Sequence, residues 1–167
     1  SLVAKKCRHG LGMRILAYDP YAADKFPGED YEFTPSLERL FAEADVVTLH
    51  CPNIPETRGM VNRDLLFSMK KDAYFVNCAR GEVVDEAALV DLLKEKRIAG
   101  AGIDVFAAEP PGTDNGLPGL DNVILSPHSA ALTREATVRM STEAARAVLD
   151  FFAGRRPRYI YNAKELG

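Results

Sequence analysis

The chain has 167 residues, of which 47% are apolar and 27% charged, a balance that is typical of a folded domain and excludes a disordered tail. With 21 Lys and Arg against 24 Asp and Glu, the net charge of −3 gives no electrostatic argument for a nucleic-acid or membrane surface. No apolar run reaches the roughly 18 residues of a membrane-spanning helix, and the first residues lack the pattern of a secretory signal. The three cysteines are far apart and form no CxxC pair, which favours reduced thiols in a cytoplasmic protein and gives no metal-ligand spacing.

Short β-rich segments alternate along the chain with amphipathic helical segments. The β-rich segments are near-continuously apolar, as expected for parallel strands that are covered on both faces. They are residues 14–18, 45–49, 73–77, 99–103 and 122–125. The helices are predicted over 36–44, 62–69, 85–96 and 132–152, and the last is ended by Gly154 and Pro157. Repeated strand–helix–strand units predict an α/β fold with an open, doubly wound parallel sheet. Residues 109–119, rich in Pro and Gly, are predicted to form one long surface loop.

The first residues predict a helix and not a phosphate-binding turn. Residues 2–7 have helical character, and Gly10-Leu11-Gly12 is typical of a helix stop. These glycines precede a predicted strand, whereas a GxGxxG loop follows one. Asp19 ends that strand, where a carboxylate about 20 residues beyond a glycine fingerprint binds the ribose of NAD. Counting back places the fingerprint at or before Ser1, so we expect the first strand and its glycine loop to be missing. The alternative for Asp19 is an ordinary Asp-Pro turn.

Three polar side chains follow three different predicted strands. Arg80 lies in Asn77-Cys78-Ala79-Arg80-Gly81, Glu109 lies a few residues after the strand at 99–103, and His128 follows the last strand. Each has an ordinary alternative, as a surface charge, an exposed loop residue and a hydrogen-bonded, half-buried histidine respectively. In an open α/β sheet, however, ligands bind outside the carboxyl ends of the strands. The order of the three along the chain therefore favours a common site.

An arginine, a carboxylate and a histidine together suit the reduction of a 2-oxo acid. An imidazolium can protonate the alkoxide that develops when a hydride reaches the carbonyl carbon. A carboxylate on the other ring nitrogen fixes the tautomer. A guanidinium binds the substrate carboxylate through two parallel hydrogen bonds, which lysine cannot match. A nicotinamide would supply the redox step.

Essentially the whole chain resembles the NAD-binding domain of the D-isomer-specific 2-hydroxyacid dehydrogenases. The resemblance is carried by Ala17-Tyr18-Asp19-Pro20, residues 45–52 with Thr57, residues 77–81, Gly102-Ile103-Asp104-Val105-Phe106 with Glu109-Pro110, and residues 122–128. It implies a Rossmann-like fold and hydride transfer between NAD(H) and a small 2-oxo or 2-hydroxy acid. It further implies that Arg80 binds the substrate, that Glu109 is the partner of the histidine, and that His128 is the acid/base.

The resemblance also implies contacts with NAD and a place for this chain in a larger protein. The implied contacts are Asp19, Pro20, Cys51, Pro52, Thr57, Cys78, Ala79, Arg80, Asp104, His128, Ser129, Ala130 and Ala131. Residues 1–152 would form a truncated NAD-binding domain with its return helix, and 153–167 a tail that leads back to a substrate domain through a strand at 159–162. A cytoplasmic homodimer is expected, with no nucleic-acid or membrane partner. Two alternatives stay open, an NAD-sensing interaction module of the corepressor type and a catalytically inactive fragment.

Overall fold

A four-stranded parallel sheet forms the centre of the first of two units in this computed structural model. The structure describes residues 2–21 and 31–163, and it divides into Ser1–His128 and Ser129–Gly167. The strands lie side by side in the order β3 (Val46–Leu49), β4 (Tyr74–Asn77), β5 (Gly100–Ile103) and β6 (Val123–Leu125). All three neighbouring pairs are parallel, so the four carboxyl ends meet at one edge of the sheet. The predicted parallel α/β architecture is confirmed.

Three helices connect the strands, and each begins after a polar side chain that caps it. They are α2 (Leu37–Glu43), α3 (Arg63–Phe67) and α4 (Glu86–Lys94). Ser36, Asn62 and Asp85 precede them, and each side chain accepts the backbone N–H of the residue three positions later. Such a bond satisfies one of the orphan donors of the first turn, which stabilises the helix by about 1 kcal/mol.

The core lies on one face of this sheet. Phe75, Leu66 and Leu92 are at most 1% exposed and belong to one cluster built from strands and from the helices α2 to α4. The other face is open, since Val46, Tyr74 and Ile124 are 39%, 53% and 79% exposed. The expectation that both faces of the strands are covered is therefore wrong for the first unit, because the helices that pack on its sheet lie on one side.

A second, two-stranded sheet precedes the main one in the chain. β1 (Leu16–Ala17) pairs in parallel with β2 (Glu32–Phe33). The sequence predicts β1 but not β2, because two residues are too few to show a periodicity. In the classic doubly wound order 3-2-1-4-5-6, the β2–β1 pair corresponds to strands 3-2 and β3 to β5 correspond to strands 4-5-6. Within residues 2–21 and 31–163, no strand joins the two sheets.

The start of the chain folds as predicted, and the Pro/Gly-rich loop differs from its prediction. Helix α1 (Leu2–Leu11) runs four residues beyond the predicted end and stops at Gly12, whose φ of 65° suits glycine. The loop at 109–119 does not lie wholly on the surface. Leu117 is 1% exposed and belongs to the core, so this segment is anchored at its far end.

The second unit is built on one long helix. Helix α5 (Arg134–Phe152) is capped by Thr133, and Gly154 at φ 68° follows it, as the prediction of a helix ended by Gly154 expects. The strand predicted at 159–162 is wrong, since irregular backbone and a turn occupy those residues and no described strand of this unit offers its backbone a partner. Part of the predicted tail, residues 164–167, lies outside the described residues. Among the helices that the structure describes, none combines the length and apolar character needed to cross a membrane.

The one-sided core makes a direct prediction about two neighbouring aromatic residues. We expect Phe75→Ala, at a position with no exposed surface, to lower the free energy of unfolding by about 3–5 kcal/mol. Tyr74→Ala, on the open face, is the matched control and should cost less than about 1 kcal/mol. Urea denaturation followed by circular dichroism measures both, and equal losses would contradict the assignment of the core to one face.

Candidate active site

The residues that the sequence singles out follow the carboxyl ends of the parallel strands. Cys51 and Pro52 follow β3, Cys78 to Arg80 follow β4, Asp104 follows β5 directly, and His128 lies three residues beyond β6. Because parallel strands end at the same edge, these four connections border one region of the surface. Three of the predicted contacts, Ser129, Ala130 and Ala131, belong to the second unit.

Glu109 and His128 form a hydrogen-bonded pair at this edge. Glu109 Oε2 lies 2.8 Å from His128 Nδ1, and Glu109 Oε1 accepts the backbone N–H of Phe106 at 3.1 Å. An ionised carboxylate can only accept, so the proton of this bond belongs to Nδ1 and Nε2 is the nitrogen available for proton exchange. Both side chains remain accessible, at 38% and 45% exposure. The hydrogen bond thus orients both side chains and leaves them accessible to solvent.

The backbone of His128 is held in an unusual conformation. Its φ is 52°, in the left-handed region that few residues other than glycine adopt. The N–H of His128 donates to the carbonyl oxygen of Asp104 at 2.8 Å, and the Ser126 hydroxyl donates to the Asp104 carboxylate at 2.5 Å. Asp104 itself is only 4% exposed. The end of β5 therefore fixes the direction in which the imidazole leaves the chain.

Asn77 organises the turn that carries Arg80. It is 2% exposed, its Oδ1 accepts the N–H of Ala79 at 2.9 Å, and its Nδ2 donates to the carbonyl of Arg80 at 3.0 Å. Its own carbonyl accepts the N–H of Asp104 at 3.0 Å, which joins this turn to β5. Asn77 lies in the sequence motif of residues 77–81, but the sequence alone predicts no role for it. A polar residue at the last position of an apolar strand is the signal that could have shown it.

Arg80 lies on the same edge as the Glu109–His128 pair. Its Nη1 donates to the carbonyl oxygen of Ala79 at 2.6 Å, and the residue is exposed. The hydrogen bond from His128 is the main cause that lowers the pKa of Glu109 below its ordinary value of 4.5, and the Phe106 amide adds to it. The positive charge of Arg80 acts in the same direction. The effect of Arg80 on the pKa of Glu109 is the smallest of these causes, whereas Glu109 and His128 are in direct contact.

A close contact between two backbones brings these residues together. A Cβ atom built on Gly81 would lie 1.9 Å from the carbonyl carbon of Phe106 and 2.4 Å from the nitrogen of Ala107. Non-bonded atoms do not approach each other this closely, so only glycine fits at position 81. The contact places the residue after Arg80 against the segment that leads to Glu109.

Around the other predicted contacts the geometry is that of ordinary turns. Asp19 Oδ1 accepts the N–H of Tyr21 at 2.9 Å, so the turn-forming alternative for this carboxylate is observed, beside Pro20 and at the end of β1. Its exposed position leaves a second oxygen accessible. Thr57 accepts the N–H of Ile54 at 3.0 Å and donates to the carbonyl of Pro52 at 2.5 Å, which closes the loop after β3.

The thiol at the site is not activated. Burial raises the pKa of Cys78 above its ordinary value of 9.0, and the charge of Asp104 raises it further. The thiol is therefore protonated at neutral pH and a poor nucleophile.

Comparison with known proteins identifies the family of this arrangement. Residues 1–130 match the family described as D-isomer specific 2-hydroxyacid dehydrogenase, NAD binding domain. The chain is 40% identical to a D-3-phosphoglycerate dehydrogenase of Synechocystis sp., over 91% of this chain and 27% of that protein. It is 43% identical to a glyoxylate reductase of Korarchaeum cryptofilum, over 96% of this chain and 48% of that protein.

A solved structure shows the same fold. The NAD-complexed form of a D-isomer specific 2-hydroxyacid dehydrogenase from Lactobacillus delbrueckii ssp. bulgaricus matches with a TM-score of 0.84 and 35% identity. The match covers 96% of this chain and 52% of that chain. Together with the two curated relatives, this shows that the chain spans about a quarter to a half of the length of the proteins that it matches.

The backbone contact at Gly81 predicts a large effect from one added methyl group. We expect Gly81→Ala to lower the free energy of unfolding by about 2 kcal/mol or more, because Phe106 and Ala107 must move. Gly10→Ala is the control, since a Cβ at Gly10 meets nothing within 4 Å. Chemical denaturation measures both variants, and an unchanged stability of Gly81→Ala would refute the close approach.

The carboxylate–imidazole pair predicts the titration of Glu109. His128→Ala removes the main cause of the lowered pKa, so the pKa of Glu109 should rise toward 4.5, as read from the side-chain ¹³C chemical shift against pH. Since the pKa in the folded protein lies below 4.5, the contribution of this pair to stability is present above that pH and is lost as pH falls through the lowered value. A Glu109 titration that is identical in both proteins would show that the pair does not form in solution.

Proposed function

Because the chain belongs to the D-isomer specific 2-hydroxyacid dehydrogenase family, as its NAD-binding domain, we propose that it is part of an oxidoreductase acting on small acids. The reaction is the interconversion of a 2-oxo acid and a 2-hydroxy acid with NAD(H). The observation that carries the proposal is the 2.8 Å bond between Glu109 and His128, at the edge where Arg80 also lies. The substrate class and the activity of the whole protein are part of the proposal.

The described residues fit the two ends of NAD. Asp104, a nearly buried carboxylate at the end of β5, has the acceptor chemistry that suits the carboxamide of a nicotinamide. Asp19 at the end of β1 has the chemistry that suits ribose hydroxyls and opposes the 2′-phosphate of NADP. For the pyrophosphate, the Gly10–Gly12 pair does not fit, because it ends helix α1 and precedes a strand, whereas a phosphate loop joins a strand to a helix N-terminus.

His128 is the proton donor and acceptor of the proposed reaction. When bound, NAD(H) supplies or accepts the hydride. His128 Nε2 gives its proton to the substrate oxygen during reduction and takes it back during oxidation. Glu109 keeps the proton of the other nitrogen on Nδ1, so Nε2 stays on the accessible side. The carboxylate also stabilises the imidazolium when it forms.

Arg80 is the group that binds the substrate acid. Arg80 is exposed at the edge of the sheet where the pair also lies, and its Nη1 donates to the carbonyl oxygen of Ala79. A substrate carboxylate accepts two parallel hydrogen bonds from a guanidinium, which fixes the adjacent carbonyl group near the imidazole. Since only Nη1 donates to Ala79, the Nε and Nη2 donors of the guanidinium remain for the substrate carboxylate.

We also propose that the protein is a cytoplasmic homodimer. The support is the wide apolar surface of α5, on which Val138, Leu149 and Phe152 are 59%, 65% and 82% exposed. An exposed apolar surface of this kind is typical of a site that binds another protein surface. The division into a domain at 1–152 and a tail at 153–167 stays a prediction.

The acid/base role of His128 is tested by turnover of a longer protein that contains this chain and a substrate domain. We expect His128→Ala to lower kcat for 2-oxo acid reduction by about 10²-fold or more and to leave NADH affinity nearly unchanged. His9→Ala, on α1, serves as the control with normal turnover. NADH absorbance and NADH titration measure the two quantities, and unaltered turnover of His128→Ala would refute the role. The present chain alone should show no turnover.

A further inference from the structure

A glutamate outside the predicted site contacts the segment that carries Glu109 at two points. Glu86 is the first residue of α4, directly after the cap Asp85. Its Oε2 accepts the backbone N–H of Ala107 at 3.0 Å, and its Oε1 accepts the side-chain N–H of Asn115 at 2.8 Å. Both partners lie more than 20 positions away in the chain. One carboxylate thus bridges the two sides of the loop between β5 and β6.

The two contacts with Glu86 hold the loop on both sides of Glu109. The amide of Phe106 donates to Glu109, and the next amide, that of Ala107, donates to Glu86. On the far side, Asn115 Oδ1 accepts the N–H of Leu117 at 3.0 Å, and Leu117 is 1% exposed in the core. The exposed residues between these points have no comparable anchor in the core.

From these contacts we infer that Glu86 is a positioning residue, which holds the loop so that the carboxylate of Glu109 faces His128. The inference deepens the proposed function and rests on it, since the geometry it maintains is that of the proposed acid/base pair. Glu86 acts only through backbone and side-chain donors of the loop, and α4 provides a rigid support because Leu89, Leu92 and Leu93 are buried. The first residue of a helix anchored in this way is a fixed point for a loop that is otherwise exposed.

The test uses the present chain and reads the loop directly. In Glu86→Ala the pKa of Glu109 should rise toward its ordinary value, because the loop no longer holds it against His128 and the Phe106 amide. Loss of a nearby negative charge by itself would lower that pKa, so the sign separates loosening from simple neutralisation. Hydrogen exchange of the Ala107 amide should speed up by about tenfold, as expected for one lost hydrogen bond.

Two further variants make the test specific. Glu82→Ala removes a like charge from the same connection, has no side-chain hydrogen bond to the loop, and should leave the Glu109 titration unchanged. Glu86→Gln keeps one oxygen that can accept a hydrogen bond from the loop, whereas its NH₂ group cannot accept the second. The pKa of Glu109 should therefore lie between those of the wild type and of Glu86→Ala. Circular dichroism and the amide spectrum of β3 to β5 establish that each variant is folded.

The outcomes separate this inference from the proposed function. An unchanged or lowered pKa of Glu109 in folded Glu86→Ala overturns the inference. If Glu86→Ala does not fold, a Glu109 pKa in folded Glu86→Gln that equals the wild-type value overturns it. Neither measurement depends on turnover. An inactive full-length protein in which Glu86→Ala still raises the pKa of Glu109 would contradict the oxidoreductase and leave the positioning role intact.

Discussion

A contact between two stretches of backbone, at Gly81 and Phe106, determines the geometry of this molecule's candidate active site. The space there excludes even one methyl group. The turn after β4 and the loop after β5 therefore share a boundary, and the side chains on either side of it, Arg80 and Glu109, come within electrostatic reach. The parallel sheet supplies the common edge, but this contact and the bonds of Asn77 decide how the connections fit together.

Much of the fold could be predicted from local sequence signals. Ser36, Asn62 and Asp85 begin the predicted helical segments, and in the structure each is a short polar side chain that caps the helix after it. The four strands of the main sheet were also predicted to within a residue or two. Both kinds of element depend on neighbouring residues in the chain, so a single sequence contains the information.

The features that escaped prediction depend on distant partners. β2 exists because β1 lies beside it, and the covered face of the sheet depends on where three helices pack. A strand at 159–162 needs an adjacent strand, and the described second unit offers none. At the site, the order of Arg80, Glu109 and His128 along the chain was informative. The contacts of Glu86 with residues more than 20 positions away left no pattern in the sequence.

The small β1–β2 sheet has an energetic consequence for the proposed contact between Asp19 and a ribose. Two residues on each strand, joined through bonds such as Glu32 N–H to Ile15 and Thr34 N–H to Ala17, make a ribbon that is marginal in isolation. Asp19 projects from the end of this ribbon. A ligand that binds Asp19 must also order this short ribbon. The entropic cost of that ordering lowers the affinity that the hydrogen bonds of Asp19 can provide.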